Sequence, residues 1–189
     1  MSCLSVISNL NAECSKYDVS GVTKIYLANY EEIASFASST SDNEYDTVTM
    51  KTNTATTTPY YWYEVKVKRN SASFASDLVT NGENNPYITH TLNFDIHGMS
   101  KAKSAAIEAL TNGNYIVAIA KTSDGLYHLL GRTLGMRGTS ANYGSGKAAG
   151  DMYGGSFTFV GNATEYSEYI KPGTSLTVWD GTTPVTITL

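Results

Sequence analysis

Residues 115–130 read YIVAIAKTSDGLYHLL. The run from Tyr115 to Ala120 is apolar nearly throughout, and Ser123-Asp124-Gly125 leads straight into a second apolar run, Leu126 to Leu130. Ser123-Asp124-Gly125 reads as a tight turn, and Asp-Gly between two such runs is a strong hairpin signal. The stretch predicts an antiparallel hairpin.

Period-two patterning extends toward the N-terminus. Tyr60 to Lys68 (YYWYEVKVK) alternates, so Tyr61, Tyr63, Val65 and Val67 are expected on a core face, with Tyr60, Trp62, Glu64, Lys66 and Lys68 on the other. A strand over Phe74 to Val79, the turn Asn81 to Pro86 (NGENNP) and a strand carrying Ile88, Leu92, Phe94 and Ile96 on one face read as central strands of an antiparallel sheet. Val22 to Asn29 (VTKIYLAN) predicts a first strand, with Val22 and Lys24 on one side and Thr23, Ile25 and Leu27 on the other. One helix is expected over Lys101 to Thr111. Ser100 caps it, Ala102, Ala105, Ala106, Ala109 and Leu110 give it an apolar side, and Gly113 offers a left-handed stop.

Long loops are expected at 38–58, rich in Ser, Thr, Asn and Asp and holding one short strand at the apolar patch from Val48 to Met50, and at 131–150, which holds six glycines. Met152 to Val160 resumes a strand with Phe157 and Phe159 together. Tyr166 to Ile170, Leu176 to Trp179 and Val185 to Leu189 then close the chain around Pro172-Gly173 and Asp180-Gly181 turns. Residues 1–20 show no firm periodicity and read as an N-terminal arm, leaving 21–189 as one domain. The class expected is mainly β, an antiparallel β-sandwich or barrel with one flanking α-helix.

Composition narrows the function. With 13 Lys and Arg against 17 Asp and Glu, the net charge of -4 gives no broad basic surface for gripping phosphates. No apolar run approaches the ~20 residues that cross a bilayer, and Met1 to Asn9 lacks a basic region and long apolar stretch, so a soluble protein made in a cytoplasm is expected. Cys3 and Cys14 form no CxxC and read as free thiols.

Chemical motifs fail one by one. Gly144 to Gly150 (GSGKAAG) lacks the first glycine of a phosphate loop, since position 141 is Ala, and the hydroxyl after the lysine, since position 148 is Ala. Its glycine spacing and surroundings also miss the dinucleotide fingerprint. His90, His97 and His128 sit in no metal-binding spacing, and no GxSxG elbow accompanies the many serines. Asp42, Glu44 and Asp46 lack the sixth-position glycine and closing glutamate of a calcium loop. Asn162-Ala163-Thr164 fits a glycosylation sequon that a cytoplasmic chain would not use. No catalytic residue, metal or cofactor is expected. Tyr60, Trp62 and Tyr63 fit either a sugar-stacking platform or anchors between subunits.

Several stretches together resemble the tail tube proteins of tailed bacteriophages, in the version found in phages of Bacteroidetes-type hosts. They are Phe74 to Leu78, Tyr87 to Phe94, the Ala105 to Leu110 helix, Tyr115 to Ala120, Gly125 to Gly131 (GLYHLLG), and Gly144 to Phe159 with Asp151, Gly154 and Phe157. The resemblance covers roughly residues 60 to 170 and has no single diagnostic motif. It implies a virion structural protein that assembles with copies of itself into stacked, hexameric rings, alongside other virion tail proteins. DNA would pass through the lumen without specific binding, and no membrane would be involved. Tyr60, Trp62, Tyr63, Gly144, Gly146 and Lys147 are the candidate inter-subunit contacts. A related ring, adaptor, terminator or injection-system tube shares those implications. The alternatives from other classes are a carbohydrate-binding sandwich using Tyr60, Trp62 and Tyr63, and a small serine hydrolase.

Overall fold

Strand β8 (Ile116–Thr122) is apolar on both sides because both of its faces are buried: Ile116 to Ala120 are each at most 3% exposed. The structure is a computed structural model describing residues 21–38, 43–55, 59–67, 70–80, 86–147, 151, 153–179 and 182–189. The expected arm at 1–20, Cys3, Cys14, Asp42 and most of the Asn81 to Pro86 turn lie outside those residues.

Around β8 lies an eight-stranded sheet. On one side come β1 (Val22–Asn29), β5 (Trp62–Val65), β13 (Ser175–Trp179) and β14 (Pro184–Thr188), in that order. On the other come β9 (Tyr127–Leu130), β12 (Glu168–Ile170) and β3 (Glu44–Tyr45). The β8–β9 pair is the antiparallel hairpin expected at Asp124-Gly125, and Gly125 takes φ +95. The closing β13–β14 hairpin is also present. Two pairings, β12 with β3 and β13 with β5, are parallel, so this sheet is mixed rather than purely antiparallel.

A second sheet orders four strands as β10 (Arg137–Gly144), β11 (Gly154–Ala163), β7 (Pro86–His97) and β6 (Ala72–Thr80), all antiparallel. Its inner face carries Leu92, Phe94, Phe157 and Phe159 against Ile25, Leu27, Ala118, Ala120 and Leu130 of the large sheet. A second core forms on the large sheet's opposite face. There Tyr26, Trp62, Val117, Ile119, Leu129 and Val178 meet a small hairpin of β2 (Ile33–Ala37) and β4 (Thr47–Met50) through Ile33, Phe36, Val48 and Met50. Burying one large side chain of this kind contributes about 1.5–3 kcal/mol. The mainly β sandwich with one flanking helix is thus borne out.

The two-sided core corrects the reading of residues 60–68. Trp62 was expected on the polar face and is fully buried, while Tyr63 was expected in the core and is 50% exposed. Both faces of β5 meet apolar partners, so strict alternation does not say which is inside. In β1 a register shift between Val22 and Lys24 puts Val22 on the same core as Ile25 and Leu27. Strand β6 is an edge strand rather than a central one, as its place in the sheet order shows.

Helix α1 (Lys101–Thr111) begins where Ser100 Oγ accepts the Lys103 amide at 3.1 Å, and Gly113 follows at φ +86. Its packed side is the half-buried Ile107 and Leu110; Ala105, Ala106 and Ala109 are exposed. The loop expected at 38–58 contains β3 and β4, and the glycine-rich loop expected at 131–150 contains β10. Among the described residues, no helix is long and apolar enough to cross a membrane.

Candidate assembly surface

The four-stranded sheet ends in two long strands with no neighbour among the described residues: β6, nine residues, and β10, eight. An unpaired strand presents a row of free backbone N–H and C=O groups, ready to pair with another strand. Strand β10 was invisible to pattern reading because its core-side positions, Gly138, Ala141 and Tyr143, are exposed or only half-buried and carry no run of large apolar residues. A Thr-Ser-Ala-Asn stretch between glycines is the composition of an exposed edge strand, and that was the available signal.

The outer face of this sheet carries mainly short polar side chains, with Val79, Tyr87 and Val160 among them. Ser73, Asn93, Thr158 and Ser140 lie abreast across all four strands, and Thr158 Oγ1 donates to Asn93 Oδ1 at 2.8 Å. Asp77, Asp95 and Arg137 bring its formal charges. A shallow polar hollow of about 320 Å³ lies over Ser73, Asn93, Asp95, Ser156 and Thr158. Strand β11 sits close against β7 because of a glycine: Gly154 holds φ +150, and a Cβ there would meet Ile96 O at 2.0 Å.

The candidate contacts from sequence do not gather in one place. Trp62 belongs to the second core and offers nothing to a partner or a sugar, so the Tyr60, Trp62 and Tyr63 platform does not form. Tyr60 is half-buried, with its amide on Lys51 O at 3.0 Å. Tyr63 projects from the opposite face to Trp62, and desolvation, then Glu32, raises its phenol pKa. Tyr61 instead packs at a tilt against Trp179, ring centroids 5.6 Å apart. Gly144 ends β10, and Gly146 takes φ +69. The Lys147 amide donates to Asp151 Oδ2 at 2.7 Å, so a carboxylate occupies the donor that an anion-binding loop would need.

The polar cluster that sequence reading missed lies where β9 and β12 meet. Glu168, 3% exposed, accepts from Arg132 Nε and from the Tyr45 hydroxyl at 2.8 Å. Arg132 also reaches Glu165 at 3.2 Å, and its guanidinium lies 5.3 Å from the Tyr45 ring centre. Burial and then the Glu168 bond push Tyr45 up to about 12, and the Glu168 carboxyl raises Glu165. These groups tie the 165–168 connection to the large sheet.

His90 accepts the Gly131 amide on Nδ1 at 3.2 Å, which leaves its Nε2–H to donate to Glu165 O at 3.0 Å. Both bonds belong to one neutral tautomer, and burial lowers its pKa. His128 sits between Phe74 of β6 and Tyr169 of β12, ring centroids 4.6 and 4.8 Å away, so it bridges the two sheets. Its Nδ1 is 3.3 Å from Ser167 Oγ, and burial lowers its pKa too. Of the acidic trio, Glu44 belongs to β3, and the Asp46 carbonyl accepts from Thr174 Oγ1 at 3.2 Å. Among the described residues, no three His, Cys, Asp or Glu side chains converge on a metal position.

Comparison with known proteins adds no relative: no family model, no curated protein and no solved structure matches this chain.

Proposed function

We propose that this chain is a structural protein of the tail-tube kind, whose copies pair β6 of one with β10 of the next to close a ring around a channel. The observation that carries the reading is the four-stranded sheet whose two outer edges are unpaired among the described residues. Its strands alternate in direction, so β6 runs opposite to β10. A copy rotated about an axis along the strands therefore offers β10 to β6 in the antiparallel sense, and the alternation continues from copy to copy without a break. Head-to-tail pairing of this kind makes a closed ring when the rotation divides a full turn.

The outer face of that sheet would line the channel. Its Ser, Thr and Asn side chains, with two aspartates against one arginine beside the uncharged Val79, Tyr87 and Val160, give a mostly polar wall with little attraction for phosphate. That suits passage of a nucleic acid without binding. Hexameric rings, their stacking, other tail proteins as partners and assembly in a bacterial cytoplasm come with the resemblance noted in the sequence and belong to the same proposal. No catalytic residue is part of it.

The test is negative-stain electron microscopy of the purified protein over a concentration series, with light-scattering mass. Rings or tubes with a central channel are expected. Ala141→Lys on β10 and Ala75→Lys on β6 should each abolish them while leaving a folded monomer, because a charge on an edge opposes strand addition. A wild-type protein that stays monomeric at every concentration overturns the reading.

A further inference from the structure

The two rims of the four-stranded sheet carry opposite charges. Strand β6 (ASFASDLVT) has a single charged side chain, Asp77, and β10 (RGTSANYG) has a single one, Arg137. Both are exposed, and among the described residues neither takes part in an ion pair or a side-chain hydrogen bond. A cation and an anion placed in this way, on the two strands whose outer edges are unpaired among the described residues, are electrostatically complementary.

The pairings within the sheet fix where each stands. Arg137 lies opposite Val160, Val160 opposite Thr91, and Thr91 opposite Ala75, so these residues make one row from rim to rim. Asp77 lies two residues along β6 from Ala75, and side chains two apart on a strand share a face. Arg137 and Asp77 therefore project from the same outer face at opposite rims. Three strand spacings put about 14 Å between those rims, too far for the two side chains to meet within one copy.

In a closed ring, neighbours are related by a rotation with no shift along the axis. With the strands along that axis, as in the ring reading on which this inference rests, a row of one copy continues at the same height into the next. Arg137 of one copy then faces Ala75 of its neighbour. The diagonal positions are Ser73 and Asp77, about 7–8 Å away and within reach of a long side chain. We propose that each seam of the ring is held in register by an ion pair between Arg137 of one copy and Asp77 of the next. A slip of one residue would turn Asp77 to the opposite face and break the pair. Gly135 lies against Gly161, which shares a row with Ser76, so the same register brings the exposed Leu78 of the neighbour to the height of the exposed Leu134. Pairing across the seam leaves Asp95 as the unbalanced charge of the channel wall, which keeps that wall repulsive to phosphate.

Charge reversal tests the pair. At a concentration where the wild type forms rings in negative stain, Arg137→Asp and Asp77→Arg should each lower the ring yield about ten-fold, because like charges then meet across the seam. The double variant Arg137→Asp, Asp77→Arg should return the yield to within about two-fold of the wild type, since the two changes are coupled. Both sites are exposed, so an unchanged urea midpoint separates lost assembly from lost folding. The register has its own readout. Ser73 and Ser140 share a row, so Ser73→Cys and Ser140→Cys, in protein with Cys3→Ser and Cys14→Ser, stand opposite each other across the seam and within disulfide range. Mild oxidation should give a ladder of covalent multimers. Undiminished rings from either single reversal, or a double reversal that stays monomeric, overturn the ion pair. A wild type that forms rings while the double-cysteine protein gives no ladder overturns the register and leaves the ring reading standing. A wild type that is monomeric at every concentration removes the ring reading and this inference with it.

Discussion

Strands β5 and β10 make the instructive pair. Strand β5 lies inside the eight-stranded sheet and buries Trp62 completely, with neighbours on both edges and apolar contacts on both faces. Strand β10 lies at the rim of the four-stranded sheet, with one edge unpaired among the described residues and most of its side chains exposed. One strand is committed to holding a single chain together. The other adds little to that and leaves its hydrogen-bonding capacity available, which is what a protein assembling through sheet edges requires.

The largest effect is expected at the committed end. Trp62→Ala should destabilise the fold by about 3–5 kcal/mol, read from the midpoint of urea unfolding. Trp62→Phe sharpens the point, because the indole N–H has no hydrogen-bond partner among the described residues. Losing an unmet buried donor offsets part of the lost volume, so Phe should cost much less than Ala.

Next comes the polar cluster. Arg132→Ala leaves the Glu168 carboxylate buried beside Tyr45 with its main partner gone, and should cost about 3 kcal/mol. An Arg132→Met, Glu168→Leu double variant should recover most of that loss in the same urea assay, since no unpaired charge remains.

A smaller effect is expected from pH. His90 has a folded pKa below its ordinary value of 6.5, so the unfolded chain binds the proton more readily. Stability from this group is complete above about 6.5 and declines as the pH falls below it, by at most about 1.4 kcal/mol per pH unit. Protonated Nδ1 would also turn a donor toward the Gly131 amide. Urea midpoints measured between pH 7.5 and 5 should fall more steeply for the wild type than for His90→Gln.

The smallest effect is expected at the free edges. Ala141→Lys and Ala75→Lys should shift the unfolding free energy by no more than about 0.5 kcal/mol while changing association outright. A large loss of monomer stability from either would break the contrast between the strands, and would mean that the edge is part of the core after all.

Much of this was legible beforehand. The β8–β9 hairpin, the closing β13–β14 hairpin, the helix with its Ser100 cap, and the in-facing Ile88, Leu92, Phe94 and Ile96 all follow from turn chemistry and period-two spacing. Those signals are local, and local geometry enforces them. The candidate assembly surface was not legible, because a rim strand such as β10 answers to no core and so carries no apolar rhythm. The Arg132, Glu165, Glu168 and Tyr45 cluster joins residues 36 and 123 positions apart, which spacing cannot reveal.

By itself, then, the sequence determined the β class, the single helix and where the chain turns, since these depend on neighbours within a few residues. Only the tertiary structure decided which face of β5 is inside and that β6 and β10 are edges. Those properties depend on which sheet covers which, and layer contacts are made between residues that the chain itself keeps far apart.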